Sequence, residues 1–554
     1  MNTLPNEINV KTPTNFNDDI ASKNEITKSQ AAKNTIVMSY ARDEWIRRKL
    51  VDRESEFMEF RNLQIFCGSF NANGKSPSNI NITNWLTGGH GQQMQDCYIC
   101  SFQEIVDLNA ANVIAEGGSA KRTSQWADLI GETLNTMADG NSGTTTSSRN
   151  RNSSTNSNNS NNSNNSNGES EWNSSETKQN NSTTGNNNSD FDGFDTNNTS
   201  NNNNQGAYRL IASKYLVGIA IVAFVKADHL PNVRDIQLQT AGVGIGGFVG
   251  NKGGVALRFT YGNSSICCVS SHLSAHRGAV ASRNSDFHNI LSKITFKDKH
   301  SSTGTAGAPH TVHTVHTIRD HDYIFWLGDL NYRIQTDISV EECYRRIKSN
   351  DLNYLRKNDQ LNIERTAGRT FNGFEEGILN FKPTYKYIPG EDNYDDRPDK
   401  KMRAPAWCDR ILWSCRAGNN KEIISNNGDS NGKKLKLITL KNYQREDSIK
   451  ISDHKPVFGI FDVQVKMIVR SEQKRVYEEL MRGKSMFLMF FLHFRFRPKT
   501  KTKTRMFIFL TVFFYIFQNY FIIYYSIITK NSIHGKMTTY LKYRWIAIPY
   551  FLIN

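Results

Sequence analysis

What limits the folds open to this chain is a series of eight short apolar runs, each rich in β-branched or aromatic residues and bounded by Gly, Asn, Asp or Ser. They are LQIFCGSF, CYICSFQEI, YLVGIAIVAFV, VALRFTY, SICCVSSHL, YIFWLGDLNY, RILWS and KPVFGIFDV. Runs of this length and composition read as strands. Helical stretches such as SVEECYRRIKS lie between them. The implied class is mixed α/β, built on sheets packed against one another.

Three segments interrupt that pattern. Residues 141–205 are mostly Asn, Ser, Thr and Gly; they bury too little apolar area to offset ordering entropy and are expected to be disordered. Strand-like sequence flanks them on both sides, so they read as an insertion within one domain, which loop-closure entropy tolerates. Residues 300–317 are soft as well, and His310, His313 and His316 there read as loop residues rather than metal ligands. Cys97 and Cys100 sit inside an apolar run and read as core, because a zinc site needs four ligands. Residues 1–56 are a polar extension followed by the first ordered sequence, and no secretory signal is visible near the start.

The tail, residues 483–554, follows a helix or linker at 466–482. Residues 507–528 carry no charge over a length that could span a bilayer. Arg495, Arg497, Lys499, Lys501, Lys503 and Arg505 precede them, which places that flank on the cytosolic side. Two readings stand: a membrane anchor, or an intron read through at the Arg482 codon. The chain has 68 Lys and Arg against 53 Asp and Glu, a net charge of +15. Such a balance invites nucleic acid, an anionic membrane or a polyanionic substrate. Yet Met481 to Asn554 hold 12 of the basic residues and none of the acidic ones, so the rest of the chain is nearly neutral.

The chemistry-bearing residues cluster at strand ends. GSFNANGK holds Asn71 and Asn73, whose ordinary use is in turns. SFQEI closes on Glu104, and a single carboxylate with other oxygen donors nearby suits Mg²⁺. GNKGGVALRF offers a Gly-rich turn and Lys252 to an anion. SSHLSAH carries His272 and His276; FWLGDLNYRI carries Asp329, Asn331 and Arg333; PAWCDRILW carries Asp409; SDHKPVFGIF carries Asp453 and His454. Neither a P-loop nor a G-x-S-x-G nucleophile elbow occurs.

Taken in order, GSFNANGK, SFQEI, GNKGGVALRF, HLSAH, WLGDLNYRI, FKPTYKY, APAWCDRIL and SDHKPV resemble the inositol polyphosphate 5-phosphatases, of the endonuclease/exonuclease/phosphatase superfamily. The resemblance covers residues 57–465, interrupted at 141–205, and the segment VKMIVRSEQKRVYEELMR is similar to the junction that follows the domain in type II members. It implies a four-layer α/β sandwich of two packed mixed sheets flanked by helices, as in DNase I. It also implies Mg²⁺-dependent removal of the 5-phosphate from a phosphoinositide or inositol phosphate by direct water attack. On that resemblance Glu104 is the main metal ligand with Asn73 close by, and Asp329 orients or activates water. Asn331, His272 and His454 hold the scissile phosphate, while Asp409, with Asp453 nearby, sets the His454 tautomer. Lys252, Arg283, Asn284, Tyr385, Lys386, Lys401 and Arg403 are its substrate-binding set.

The alternatives are a DNase I-like nuclease and an inactive phosphoinositide-binding module. TYKY together with KKMRAPAWCDRIL argues against a nuclease, and no nucleic-acid partner is expected. The full motif set argues against an inactive module. The expected setting is cytoplasmic and peripheral on anionic membranes, or membrane-anchored if 507–528 is such a segment.

Overall fold

The structure, a computed structural model, describes residues 43–89, 93–107, 116–141, 206–244, 252–297, 315–397, 402–419, 422–424 and 434–495. Residues 142–205, 245–251, 298–314 and 507–528, as well as Lys401, lie outside them. Among the described residues no helix is long and apolar enough to cross a membrane. The chain divides into two units. One is Arg53–Gln473; the other comprises Met1–Asp52 and Lys474–Asn554, and its described parts are helical.

In chain order the strands are β1 (Met58–Asn71), β2 (Cys97–Gln103), β3 (Tyr208–Leu216), β4 (Ile219–Lys226), β5 (Val233–Gly242), β6 (Gly253–Tyr261) and β7 (Ser264–His272). The short β8 (Thr295–Lys297) and β9 (Val315–Thr317) follow, then β10 (Tyr323–Asp329), β11 (Glu375–Glu376), β12 (Asp409–Cys415), β13 (Glu422–Ile424), β14 (Lys434–Lys436), β15 (Ile438–Arg445) and β16 (Val457–Ile468). The helices that matter for the site are α1 (Glu116–Asn141), α2 (Val280–Lys293), α3 (Val340–Lys348) and α4 (Gln360–Thr366).

Two six-stranded sheets result, ordered β15-β16-β1-β2-β4-β3 and β11-β12-β10-β7-β6-β5. They share one plan. Each has a single parallel pair at its centre, β1–β2 in one and β7–β10 in the other, and every other neighbour is antiparallel. The central strands are buried on both faces, which is why they read as unbroken apolar runs. Alternate residues split between layers. Leu63, Ile65 and Cys67 of β1 enter the core between the sheets, with Phe325, Leu327 and Phe461. Phe66 and Phe70 turn outward to Trp126, Ile130 and Leu134 of α1. On the other outer face Phe287 and Ile290 of α2 cover Trp326 and Leu412. The fold is therefore the expected four-layer α/β sandwich.

Cys97 and Cys100 belong to different layers of that sandwich, the first between the sheets and the second under α1. Burial pushes both thiols up, so the pair is core, as its sequence context implies. The run YLVGIAIVAFV, read as one strand, is a hairpin: β3 ends at Leu216, β4 starts at Ile219, and Gly218 turns the chain at φ 75°.

At the site end the core between the sheets becomes polar. Ser101 Oγ and Ser270 Oγ meet across the sheets at 2.7 Å, and Gln103 Nε2 donates to Ser101 Oγ at 2.7 Å. The parallel strands β7 and β10 approach tightly at Gly328, where a Cβ would lie 1.9 Å from the Ser271 carbonyl oxygen and φ is 149°. Only glycine fits there, and the next residue is Asp329. Gly328→Ala should lower the unfolding free energy by about 3 kcal/mol or more, read as a shifted urea midpoint. A midpoint within error of wild type would contradict the close approach.

Candidate active site

The site is assembled from strand ends. β1 ends at Asn71, β2 leads into Glu104, β7 ends at His272 and β10 ends at Asp329, so both parallel pairs deliver their C-terminal residues to one cleft. Two antiparallel partners enter from the same side: Asp409 opens β12 directly opposite Asp329, and His454 precedes β16. Asn73, Glu104 and Asn331 all take positive φ, 46°, 46° and 56°. For Glu this is an unfavourable conformation, of the kind found where a binding site over-determines the backbone. Gly74 braces it, its N–H donating to the Glu104 carbonyl at 2.6 Å.

Asp329 is the hub. It is 1 % exposed. Its Oδ2 accepts from Asn71 Nδ2 at 3.0 Å and lies 3.3 Å from His272 Nε2 and 4.0 Å from His454 Nε2. Its Oδ1 accepts from the Asn331 N–H at 3.0 Å. Burial pushes the Asp329 carboxyl up, but His272, His454 and Arg333 outweigh it and leave the group well below the usual carboxylate range. His272 Nε2 is also 3.7 Å from Glu104 Oε1 and 2.6 Å from Lys252 Nζ.

The second pair is Asp409 and His454. His454 Nδ1 meets Asp409 Oδ2 at 2.9 Å, and Thr384 Oγ1 donates to the same oxygen at 2.7 Å. Against the downward pull of burial, Asp409 lifts the His454 imidazole to about 10. Asp329, Asp409 and His454 bring candidate ligand atoms within 4.8 Å of one another. Two of these three groups, however, are already engaged with each other through the 2.9 Å His454–Asp409 contact. Glu104 fits a hard cation better: its carboxylate is 30 % exposed. Nearby, Asp409 Oδ1 is buried without a hydrogen-bond partner.

Residues 178–460 match the pattern of the family described as Endonuclease/Exonuclease/phosphatase family 2. The chain is 30 % identical over 442 residues to the mouse type II inositol 1,4,5-trisphosphate 5-phosphatase, covering 80 % of this chain and 34 % of that one. It is 33 % identical over 462 residues to the type I inositol polyphosphate 5-phosphatase 5 of Arabidopsis thaliana, covering 74 % of this chain and 80 % of the relative. The chain belongs to the inositol polyphosphate 5-phosphatases. A solved structure also resembles this 5-phosphatase chain. It is the inositol polyphosphate 5-phosphatase domain of SPsynaptojanin in complex with inositol (1,4)-bisphosphate and calcium ion, with a TM-score of 0.53 and 26 % identity. The match covers 81 % of this chain and 98 % of that one. The chain thus spans about a third of the mouse relative and most of the plant one.

Within this 5-phosphatase domain the expected site residues separate into three groups. Glu104, His272, Asp329, Asn331, Asp409 and His454 converge as described. Asn331 already donates Nδ2 to the Leu273 carbonyl at 3.1 Å and accepts from Arg333, which leaves one N–H for a ligand. Asp453 is half-buried beside His454, and its carbonyl accepts from Tyr387 N–H at 2.8 Å. The asparagine that reaches the hub is Asn71; Asn73 is a turn residue whose N–H donates to Asn71 Oδ1 at 3.0 Å. Alternation along a strand puts positions two apart on one face, so what separates them is the end of β1: Asn71 is its last residue, and Asn73 lies in the turn beyond at φ 46°.

The second group surrounds the cleft. The Tyr385 ring lies 4.7 Å from the His454 ring, and the Arg333 guanidinium stacks over Tyr385 at 4.2 Å. Lys386 Nζ is 3.7 Å from Asp395. Arg403 is exposed, on the approach to Ala406, which pairs with Tyr385. Beneath this strand Tyr387 is flanked by Arg445 at 5.4 Å and Lys455 at 5.2 Å, which hold it in place. Lys401 lies outside the described residues. Thr384 and Ser452 were not anticipated; Ser452 Oγ donates to the Asn71 carbonyl at 2.7 Å and accepts from the His454 N–H at 3.1 Å.

The third group corrects an expectation. Arg283 and Asn284 do not face a substrate. Arg283 is fully buried, with donors on the carbonyls of Ser274 and His276 and on Gln360. The Asn284 amide is occupied at both ends, by Glu364 and by the Tyr332 hydroxyl, each at 2.7 Å. The Arg-Asn pair braces the interior instead.

The Asp409–His454 pair gives a direct test. Asp409→Asn removes the partner that contributes most to lifting His454, while Asp329 and Asp453 still act against burial. The imidazole should then titrate well below the wild-type value of about 10, followed by the ring proton resonances in an NMR pH series. A midpoint still near 10 would mean that another group sustains it.

Proposed function

We propose that this 5-phosphatase hydrolyses the 5-phosphate of phosphoinositides such as phosphatidylinositol 4,5-bisphosphate and phosphatidylinositol 3,4,5-trisphosphate, and of soluble inositol polyphosphates, in a Mg²⁺-dependent reaction with direct attack by water. The observation that carries this reading is the convergence of an open Glu104, a hydrogen-bonded Asp329 and a protonated His454 in one cleft, beside Lys386 and Arg403. The solved synaptojanin complex is consistent with it, since the inositol 1,4-bisphosphate bound there keeps a 4-phosphate and lacks a 5-phosphate.

Glu104, with the amide oxygen of Asn71 or Asn73 nearby, would hold Mg²⁺, whose charge there offsets that of the phosphoryl oxygens. The protein's own part is positioning and charge compensation, which dominate phosphoryl transfer. Asp329 is held too far below the usual carboxylate range to be a strong base near pH 7. Its role is to orient the attacking water through the oxygen that Asn71 and His272 fix. His454, kept protonated by Asp409, donates to a non-bridging phosphate oxygen, and the free N–H of Asn331 donates to the same group. Lys252 adds charge from the Gly-rich turn. Lys386 and Arg403 grip the adjacent 4-phosphate, with Tyr385 against the ring. The enzyme works on the cytosolic face of anionic membranes, where basic residues are drawn to the surface.

The full-length chain with Mg²⁺ should release phosphate from a 4,5-bisphosphorylated inositol head group and leave the 4-monophosphate ester. Glu104→Ala and Asp329→Ala should each lower kcat by about 10³-fold or more. Loss of the 4-phosphate instead, or nicking of plasmid DNA without inositide turnover, would overturn the assignment. Lys386→Ala and Arg403→Ala should raise KM for the 4,5-bisphosphorylated head group by roughly tenfold and leave a 5-monophosphorylated one nearly unaffected. Equal effects on both substrates would remove these residues from the 4-phosphate site.

A further inference from the structure

Gln360 is the first residue of α4 and only 1 % exposed. Its side chain uses both ends. Oε1 accepts from Arg283 at 2.7 Å and from the Arg333 N–H at 2.9 Å. Nε2 donates to the carbonyls of Arg277 at 2.9 Å and Ile334 at 3.4 Å. Its backbone N–H donates to the Arg333 carbonyl at 2.8 Å. One amide therefore joins the segment that follows His272 to the segment that follows Asp329. Arg283 completes the bracket from α2, and Tyr332 is tied to the same helix through Asn284.

A purely structural role, anchoring α4, is already filled by others. Asp359 caps the helix by accepting from the Asn362 N–H at 3.0 Å, and it takes two 3.0 Å contacts from Arg410. Arg410 also forks onto Glu376 at 2.6 and 2.7 Å. With the helix fixed that way, the Gln360 amide is spent on the two loops and on Arg283 of α2.

We infer that Gln360 is a positioning residue for the hydrolysis proposed above, holding the Asp329–Arg333 segment and the His272–Arg277 segment in one register. The inference rests on that reading. It acts through backbone: Arg333 N–H and carbonyl are both held by Gln360, and the Arg333 side chain in turn holds the Asn331 amide oxygen. A displacement of about 1 Å in such a segment costs on the order of 10²-fold in rate. Lys386 and Arg403, expected to grip the 4-phosphate, share no hydrogen bond with Gln360, and Tyr385 is reached only through the Arg333 side chain, so the effect falls mainly on kcat.

The experiment compares the full-length wild type with Gln360→Met, measuring the unfolding midpoint, kcat and KM on a 4,5-bisphosphorylated head group with Mg²⁺. The expected result is a folded variant with kcat lower by about 10²-fold and KM within about twofold. Wild-type kcat in the folded variant, or kcat lost only in proportion to the unfolded fraction, would overturn the inference. If Gln360→Met does not fold, Tyr332→Phe decides. That change deletes only the hydroxyl bound to Asn284 and should lower kcat several-fold at constant KM; an unchanged kcat would again overturn the bracket. A wild-type protein that releases no 5-phosphate would instead sink the functional reading.

Discussion

The Asp329 carboxylate is a charge with almost no access to water, and the surrounding architecture answers the cost of placing it there. An unpaired ion at that depth is expensive, whereas one with hydrogen-bond donors on both oxygens is tolerable. The donors arrive from three different places in the chain: Asn71 from β1, His272 from β7 and the Asn331 N–H from the following turn. The Asn331 N–H is local and His272 comes from the adjacent strand of the same sheet, but Asn71 belongs to the opposite sheet. Full hydrogen bonding of Asp329 therefore requires the two sheets to be packed face to face.

The shared plan of the sheets explains why the cleft lies where it does. A parallel pair places two C-terminal ends side by side, and two such pairs facing each other gather four. Antiparallel neighbours then bring in the starts of β12 and the segment before β16. The result is a set of side chains held by strand ends rather than by long loops, which limits how far each can drift. The polar steps in the core, from Ser101 and Ser270 to Gln103, let the interior change gradually from hydrocarbon to charge.

Much of this is legible in sequence. All eight apolar runs fall in strands, because strands buried on both faces have no polar alternation to disguise them. The edge strands β5 and β15 escape such a reading, since VRDIQLQTAG and ITLKNYQR are half-exposed and read as ordinary surface. Motifs at strand ends named the convergent residues Glu104, His272, Asp329 and His454. They failed where chemistry alone was the guide. Arg283 is as suitable for an anion as any arginine, yet the interior claims it, because a buried turn with several bare carbonyls needs a multivalent donor. Asn71 and Asn73 are chemically identical; what separates a residue aimed at Asp329 from one that turns the chain is where β1 ends, between them.

The order of strands also bears on how the protein is made. β1 lies near the start of the domain, but its antiparallel partner β16 pairs with it from Ser69 opposite Val457 to Met58 opposite Ile468. Until β16 leaves the ribosome, a central strand has an open edge, a known route to mispairing. Since His454 arrives with that same strand, a nascent chain released short of it would lack both the β1–β16 pairing and the buried imidazole beside Asp409. Among the described strands β16 is the last to emerge, so sheet closure and completion of the cleft coincide.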